Sequence, residues 1–293
     1  MVVKQKILVT GSNGQLGMEL RQLAGVYPQF EYIFTTREEL SLDDGEALGE
    51  RLQYYNPQYI INCAAYTAVD KAESDKKNAF AINAIAPGII AKFCRENNTR
   101  LVHISTDYVF DGMASSPYKE DAITNPQSVY GSSKLEGEKQ VSGFDPDAVM
   151  IRTGWVYSAF GKNFVKTMMR LMAERDSVSV VADQVGTPTY AKDLATAIMD
   201  IIASQHWEPG IYHYSNQGKI TWYDFAVAIK EITGSTCAVQ AIPTTAYPTP
   251  ARRPAYSVLD KTKIIQTFGL QLHDWRQSLE YCIQNPGQSP GAN

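Results

Sequence analysis

The sequence predicts an α/β protein: a doubly wound parallel sheet with a smaller α/β domain towards the C-terminus. Three observations carry this expectation. Short apolar runs alternate with amphipathic helix patterns through the first half of the chain, as happens when helices cover both faces of a parallel sheet. A glycine-punctuated turn separates the first apolar run from the first helix pattern. The length, 293 residues, is about twice the ~150 residues of one typical domain.

The elements follow in order. Residues 6–10, KILVT, read as a buried strand. The turn GSNGQLG follows, and then a helix through Met18, Leu20 and Leu23. A strand at 32–35, a helix at 46–54, a strand at 59–62 and a helix at 76–97 come next. RLVHIS, 100–105, is the fourth strand, and 149–152 is the fifth, after a helix starting near Val129. Beyond Tyr157 the pattern is less regular. Helices are expected in 161–172, 190–203 and 221–233, and strands in 177–183 and 210–216. Prolines 243, 248, 250 and 254 exclude a continuous helix there, because proline lacks the amide donor. A last helix is expected at 275–283. The tail 285–293, NPGQSPGAN, reads as turn-rich and disordered. The division expected is 1–157 for a dinucleotide and 158–293 mainly for substrate, part of the latter being free to return to the first sheet.

Composition excludes several classes. Net charge is −4, from 27 basic and 31 acidic residues, which argues against a broad nucleic-acid surface. No apolar run reaches the ~18 residues of a membrane span, and the lysine-flanked start lacks the features of a signal peptide. The four cysteines are scattered and the four histidines show no ligand spacing. A reduced, cytoplasmic protein without a metal site is the reading that results.

Gly11, Gly14 and Gly17 form GxxGxxG between strand and helix. Glycines there permit a tight turn and close approach of the backbone to a diphosphate, on which the helix N-terminus directs its free N–H groups. After the second strand, Thr35-Thr36-Arg37 stands where an acidic residue would bind the ribose hydroxyls of NAD. An arginine suits a 2′-phosphate, so Arg37 tilts the choice between NADH and NADPH towards NADPH.

The fourth strand ends in Ser105-Thr106-Asp107, at the carboxyl edge of the sheet where α/β proteins bind ligands. Tyr130 and Lys134 stand four apart on an expected helix and so share one face. A tyrosine with a pKa near ~10 is a weak acid at neutral pH, and a nearby ammonium is expected to lower it. Thr106, Tyr130 and Lys134 would thus supply a hydroxyl clamp, a proton donor and a tuning charge.

With these motifs in order, the chain resembles the extended short-chain dehydrogenase/reductases, and among them the dTDP-4-dehydrorhamnose reductase family. The segments that carry the resemblance include NCAAYTAVDKAE (62–73), STDYVFDG (105–112), VYGSSKLEGE (129–138), RTGWVY (152–157), DQVGTPT (183–189) and PTPARRPAYSVLD (248–260). The resemblance implies that Gly14, Gln15 and Leu16 meet the cofactor phosphates and that Ala65, Tyr66 and Thr67 pass along its ribose and nicotinamide. Thr106, Asp107 and Trp155 would meet the sugar. Tyr130 would donate the proton, and Lys134 would also hold the nicotinamide ribose. Arg252 and Arg253 would lie near the diphosphate of the substrate nucleotide. The implied reaction is reduction of the 4-keto group of dTDP-4-dehydro-L-rhamnose by NAD(P)H, the last step towards dTDP-L-rhamnose, in a protein for which a homodimer is open. Some relatives hold magnesium between subunits through acidic residues. Lys192 stands where an acid would suit that metal, so none is expected.

Two rivals remain at this level. One is another dTDP-4-keto-deoxysugar reductase. The other is a non-catalytic dinucleotide-binding subunit like the regulatory subunit of methionine adenosyltransferase. Intact Thr106, Tyr130, Lys134 and ARRP favour the enzyme.

Overall fold

A computed structural model describes residues 4–287. Met1 to Val3, at the expected lysine-flanked start, and 288–293 of the expected tail lie outside the described residues. The central sheet has six parallel strands: β1 Gln5–Thr10, β2 Phe30–Thr35, β3 Tyr59–Asn62, β4 Arg100–Thr106, β5 Val149–Thr153 and β6 Gly210–His213. Their order across the sheet is β2-β1-β3-β4-β5-β6, so the winding reverses between β1 and β3. Ligands of open α/β sheets bind in the crevice at such a switch point, outside the carboxyl ends of the strands. The doubly wound sheet expected from the sequence is present.

Each face of the sheet has its own apolar core. On one face Ile7, Val9, Leu16 and Leu20 pack with Leu194, Ile198 and Ile202 of the helix Ala191–Ala203. On the other, Leu8, Ile60 and Leu101 meet Leu48, Ile90 and Val141. Full burial of one such aliphatic side chain is worth about 1.5–3 kcal/mol, so these two layers fix the sheet and the helices α1 (Gln15–Leu23) and α2 (Gly45–Tyr55) against it.

The later part of the chain builds a third core from Tyr157, Val165, Met168, Phe225 and Ile229. There the strand Ser177–Val181 pairs in parallel with Ala238–Ile242. The second of these strands had no counterpart among the sequence expectations, and neither had the short helix Thr262–Phe268. The expected strand at 210–216 is shorter and is the edge strand of the central sheet, paired with β5.

The expected helix over 76–97 is continuous but not uniform. A π-turn, Ala81–Ile85, joins Lys76–Phe80 to Ala86–Asn97. Such turns are frequent at functional sites, and this one presents Asn83.

Candidate active site

The carboxyl ends of the strands open into a cleft of about 970 Å³. Gly11, Gly14, Gln15, Leu16, Gly17, Arg37, Ala65, Tyr66, Thr67, Thr106, Asp107, Tyr130, Lys134 and Trp155 all line it. Residues from six separate stretches of sequence therefore meet in one place.

The glycine turn makes one end of the cleft. Gly11 has φ of 64°, and a side chain there would meet the Ala64 backbone at 2.8 Å. A Cβ on Gly17 would lie 2.5 Å from Ser12 Cα and 2.6 Å from the Gly11 carbonyl. Gly14 caps α1 without a side-chain hydrogen bond, and the first turn of the helix holds no acidic residue. The first N–H groups of that helix have no partner within it and carry its partial positive charge. This cradle, which side chains would fill, fits the diphosphate of a dinucleotide. Arg37, at the rim, is 74% exposed and pairs with Asp43 at 3.0 Å.

The switch point is stitched by hydrogen bonds. Thr10 Oγ1 donates to Asn62 Oδ1 at 2.7 Å and accepts from the Ala64 amide at 3.2 Å. Asn83 Oδ1 accepts from the Tyr66 amide at 2.8 Å. Its Nδ2 donates to the Tyr66 carbonyl at 3.1 Å and to Ser133 Oγ at 3.0 Å. One side chain on the π-turn thus holds the stretch 65–67 against the helix that carries Tyr130 and Lys134.

That helix, Val129–Phe144, starts where the Ser128 side chain accepts from the Gly131 amide. Tyr130 shares a hydrogen bond with Thr106, which lowers its pKa, but burial raises the phenol to about 12 overall. The lowering expected from Lys134 is absent. The Lys134 ammonium donates instead to the Ile104 carbonyl at 2.6 Å, and burial takes its own pKa down to about 8 against the pull of Glu138.

Asp107 is buried beside them. Its pKa is pushed up to about 6 by burial, against hydrogen bonds from Ser257 and Thr106. A side chain on Gly154 would come within 2.7 Å of its carboxyl, so glycine leaves the acid its place. Trp155 has φ of 51°, a left-handed conformation that costs a residue without glycine's freedom about 1–3 kcal/mol and is kept at functional sites. Its ring stacks on Trp222 at 3.6 Å between centroids and 10° between planes. A Cβ on Gly186 would lie 2.6 Å from the Trp155 ring and 2.8 Å from Ser257 Oγ.

The two arginines lie apart. Arg253 pairs with Asp70 at 2.6 Å, and its charge bears on the phenol of Tyr108, a cleft residue. Arg252 is exposed and donates to Gln127 at 3.3 Å. Neither lines the cleft itself. His103 is a packed core residue, held against Asn62 and kept neutral by burial. Sequence reasoning missed Asn83, Tyr108, Lys162, Trp222 and Ser257.

The chain matches the family model described as RmlD substrate binding domain over residues 5–287. It is 40% identical over 285 residues to the dTDP-4-dehydrorhamnose reductase of Aggregatibacter actinomycetemcomitans, covering 94% of this chain and 97% of that one. A dTDP-4-dehydrorhamnose reductase structure from Clostridium acetobutylicum is 41% identical, with a TM-score of 0.91 over 96% of this chain and 99% of the other. That from Bacillus anthracis, in complex with NADP, is 35% identical, with a TM-score of 0.93 over 97% and 100%. The chain belongs to the dTDP-4-dehydrorhamnose reductase family.

Proposed function

We propose that the protein reduces the 4-keto group of dTDP-4-dehydro-L-rhamnose to give dTDP-L-rhamnose, using NADPH or NADH. The convergence of Thr106, Tyr130 and Lys134 at the end of β4, beside a dinucleotide cradle, carries this reading. When bound, the reduced nicotinamide supplies the hydride. Gly11, Gly14, Gln15, Leu16 and Gly17 hold the cofactor phosphates, Arg37 its 2′-phosphate, and Ala65, Tyr66 and Thr67 its ribose and nicotinamide end.

Tyr130 donates its phenolic proton to the 4-oxygen, and Thr106 hydrogen-bonds the same oxygen. Both hydrogen bonds strengthen as the oxygen gains negative charge during hydride transfer, so they stabilise the transition state more than the substrate. Lys134 holds the nicotinamide ribose and, once drawn off the Ile104 carbonyl, bears on the phenol. Asp107 and Trp155 seat the sugar, and Arg253 meets the diphosphate, with residues 158–293 supplying most of the substrate side. The reaction takes place in the cytoplasm, in a monomer or homodimer. Among the described residues no helix is long and apolar enough to cross a membrane.

The test is a coupled assay. dTDP-glucose is supplied with the upstream dehydratase and epimerase, cofactor oxidation is followed, and the product is identified by NMR. Cofactor oxidation that yields dTDP-L-rhamnose supports the reading. Another C4 epimer would point to a different 4-keto-deoxysugar reductase, and no oxidation would point to a binding subunit.

A further inference from the structure

The cofactor end of the cleft has a wall that does not come from the glycine turn. The segment 156–163 lies on the first two turns of α1 through three contacts. Gln15 Nε2 donates to the Val156 carbonyl at 3.3 Å. Asn163 Nδ2 donates to Gln15 Oε1 at 2.9 Å. Ser158 Oγ donates to Glu19 Oε1 at 2.6 Å. Gly161, with φ of 66°, turns the chain so tightly against α1 that a Cβ there would lie 3.2 Å from Gln15 Cγ.

Lys162 stands between Gly161, which leaves little room for a side chain beside Gln15, and Asn163, which bonds Gln15. It lines the same cleft as Gly11, Gly14 and Gln15. Its side chain makes no hydrogen bond or ion pair among the described residues. The other two cations of the cleft are engaged, Arg37 with Asp43 and Lys134 with the Ile104 carbonyl. An ammonium on the wall of a cleft that also holds a helix N-terminus adds its attraction for a bound anion to that of the helix amides.

We infer that Lys162 is a cofactor diphosphate ligand, contributed by the second half of the chain to the dinucleotide site of the first. This rests on the dinucleotide reading above. The diphosphate is common to NADH and NADPH, so Lys162 acts on both, in contrast to Arg37. It also makes cofactor binding depend on the latch between 156–163 and α1.

The experiment is direct titration of the full-length protein with NADPH, NADH and dTDP, read by fluorescence without turnover. Lys162→Met keeps the length of the side chain and removes its charge. Loss of one charged contact to phosphate is expected to weaken both dinucleotides by about three- to tenfold and to flatten the salt dependence of their binding. Binding of dTDP should not change, and Lys162→Arg should retain most of the affinity. Unchanged dinucleotide affinity in Lys162→Met would overturn the inference. So would a loss confined to NADPH, which would assign Lys162 to the 2′-phosphate, or a loss confined to dTDP, which would assign it to the substrate. If the wild type binds neither dinucleotide, the cofactor reading itself fails and the inference falls with it.

Discussion

Arg152 clasps Glu138 through two hydrogen bonds, Nε to Oε1 at 2.8 Å and Nη2 to Oε2 at 2.7 Å, with both side chains only 3% exposed. Glu138 Oε1 also accepts from Ser105 Oγ at 2.6 Å. The pair therefore ties β5, the end of β4 and the helix of Tyr130 into one unit, directly behind Thr106. Arg152→Met should strand a buried carboxylate and cost about 3–5 kcal/mol in urea unfolding. Arg152→Met with Glu138→Leu should recover much of that loss. A single variant as stable as wild type would show that the pair does not brace the site.

Tyr130→Phe removes the hydroxyl and keeps the ring that meets Tyr108 edge-on at 5.5 Å. The melting temperature should hold while kcat falls by about 10²–10⁴, the usual loss when general acid catalysis is removed. A kcat within about threefold of wild type would require another proton donor.

Arg37→Asp should raise the KM for NADPH far more than that for NADH, because attraction to a 2′-phosphate gives way to repulsion. The present partner, Asp43, would then face a second acid, so Arg37→Gln serves as the milder control. Equal changes in both KM values would remove Arg37 from cofactor selection.

Arg253→Ala should raise the KM for the dTDP-sugar at least about tenfold, since a charged hydrogen bond to a diphosphate is worth ~1.5–3 kcal/mol. Arg252→Ala should change it little, because Arg252 is exposed and turned to Gln127. Cofactor affinity should stay the same in both. Wild-type substrate KM in both variants would place the diphosphate elsewhere.

The stability of the protein should carry the signature of Asp107. Its folded pKa, about 6, lies above the usual 3.8 because burial disfavours the charged carboxylate. The stabilisation from the neutral acid is therefore complete below the unfolded value and is lost as pH rises through about 6. Asp145, raised to about 6 as well, contributes with the same sign. Unfolding free energies of wild type and Asp107→Asn, measured from pH 4 to 7, should thus diverge, with Asp107→Asn losing less. Parallel curves would mean that Asp107 ionises freely.

The parts of this site that were legible in the sequence are those whose geometry is local. GxxGxxG lies on one turn, and Tyr130 and Lys134 lie one helical turn apart, so spacing alone brings each set together. Thr106 lines the cleft because the end of a parallel strand opens on the ligand crevice. Trp222 and Ser257 reach the cleft from far along the chain, and no periodicity links them to Trp155 or Asp107. Asn83 was hidden because a π-turn does not interrupt an apolar helix pattern. The direction of the Lys134 side chain was misjudged for a related reason. Helical spacing places two residues on one face but does not decide which acceptor a long side chain reaches. In the fold, the strand Ala238–Ile242 escaped notice because it is mostly exposed and lacks a clear alternation.

The pairing of Gly210–His213 with Val149–Thr153 gives the molecule a nested architecture. The chain leaves the central sheet after β5, passes through the third core, returns to supply the helix Ala191–Ala203 and the last strand, leaves again, and comes back to the same core with Ile264 and Leu270. A fragment ending at 157 would lack the edge strand β6 and the helix that covers Leu16 and Leu20, exposing backbone and apolar surface together. Exchange of the sugar-binding part between related enzymes would therefore require several crossovers and not a single cut, because residues 191–213 and also Ile264 and Leu270 belong to the core of the central sheet. The same threading places pairs of contacting residues far apart in sequence, so the sheet closes late, after most of the chain has been made.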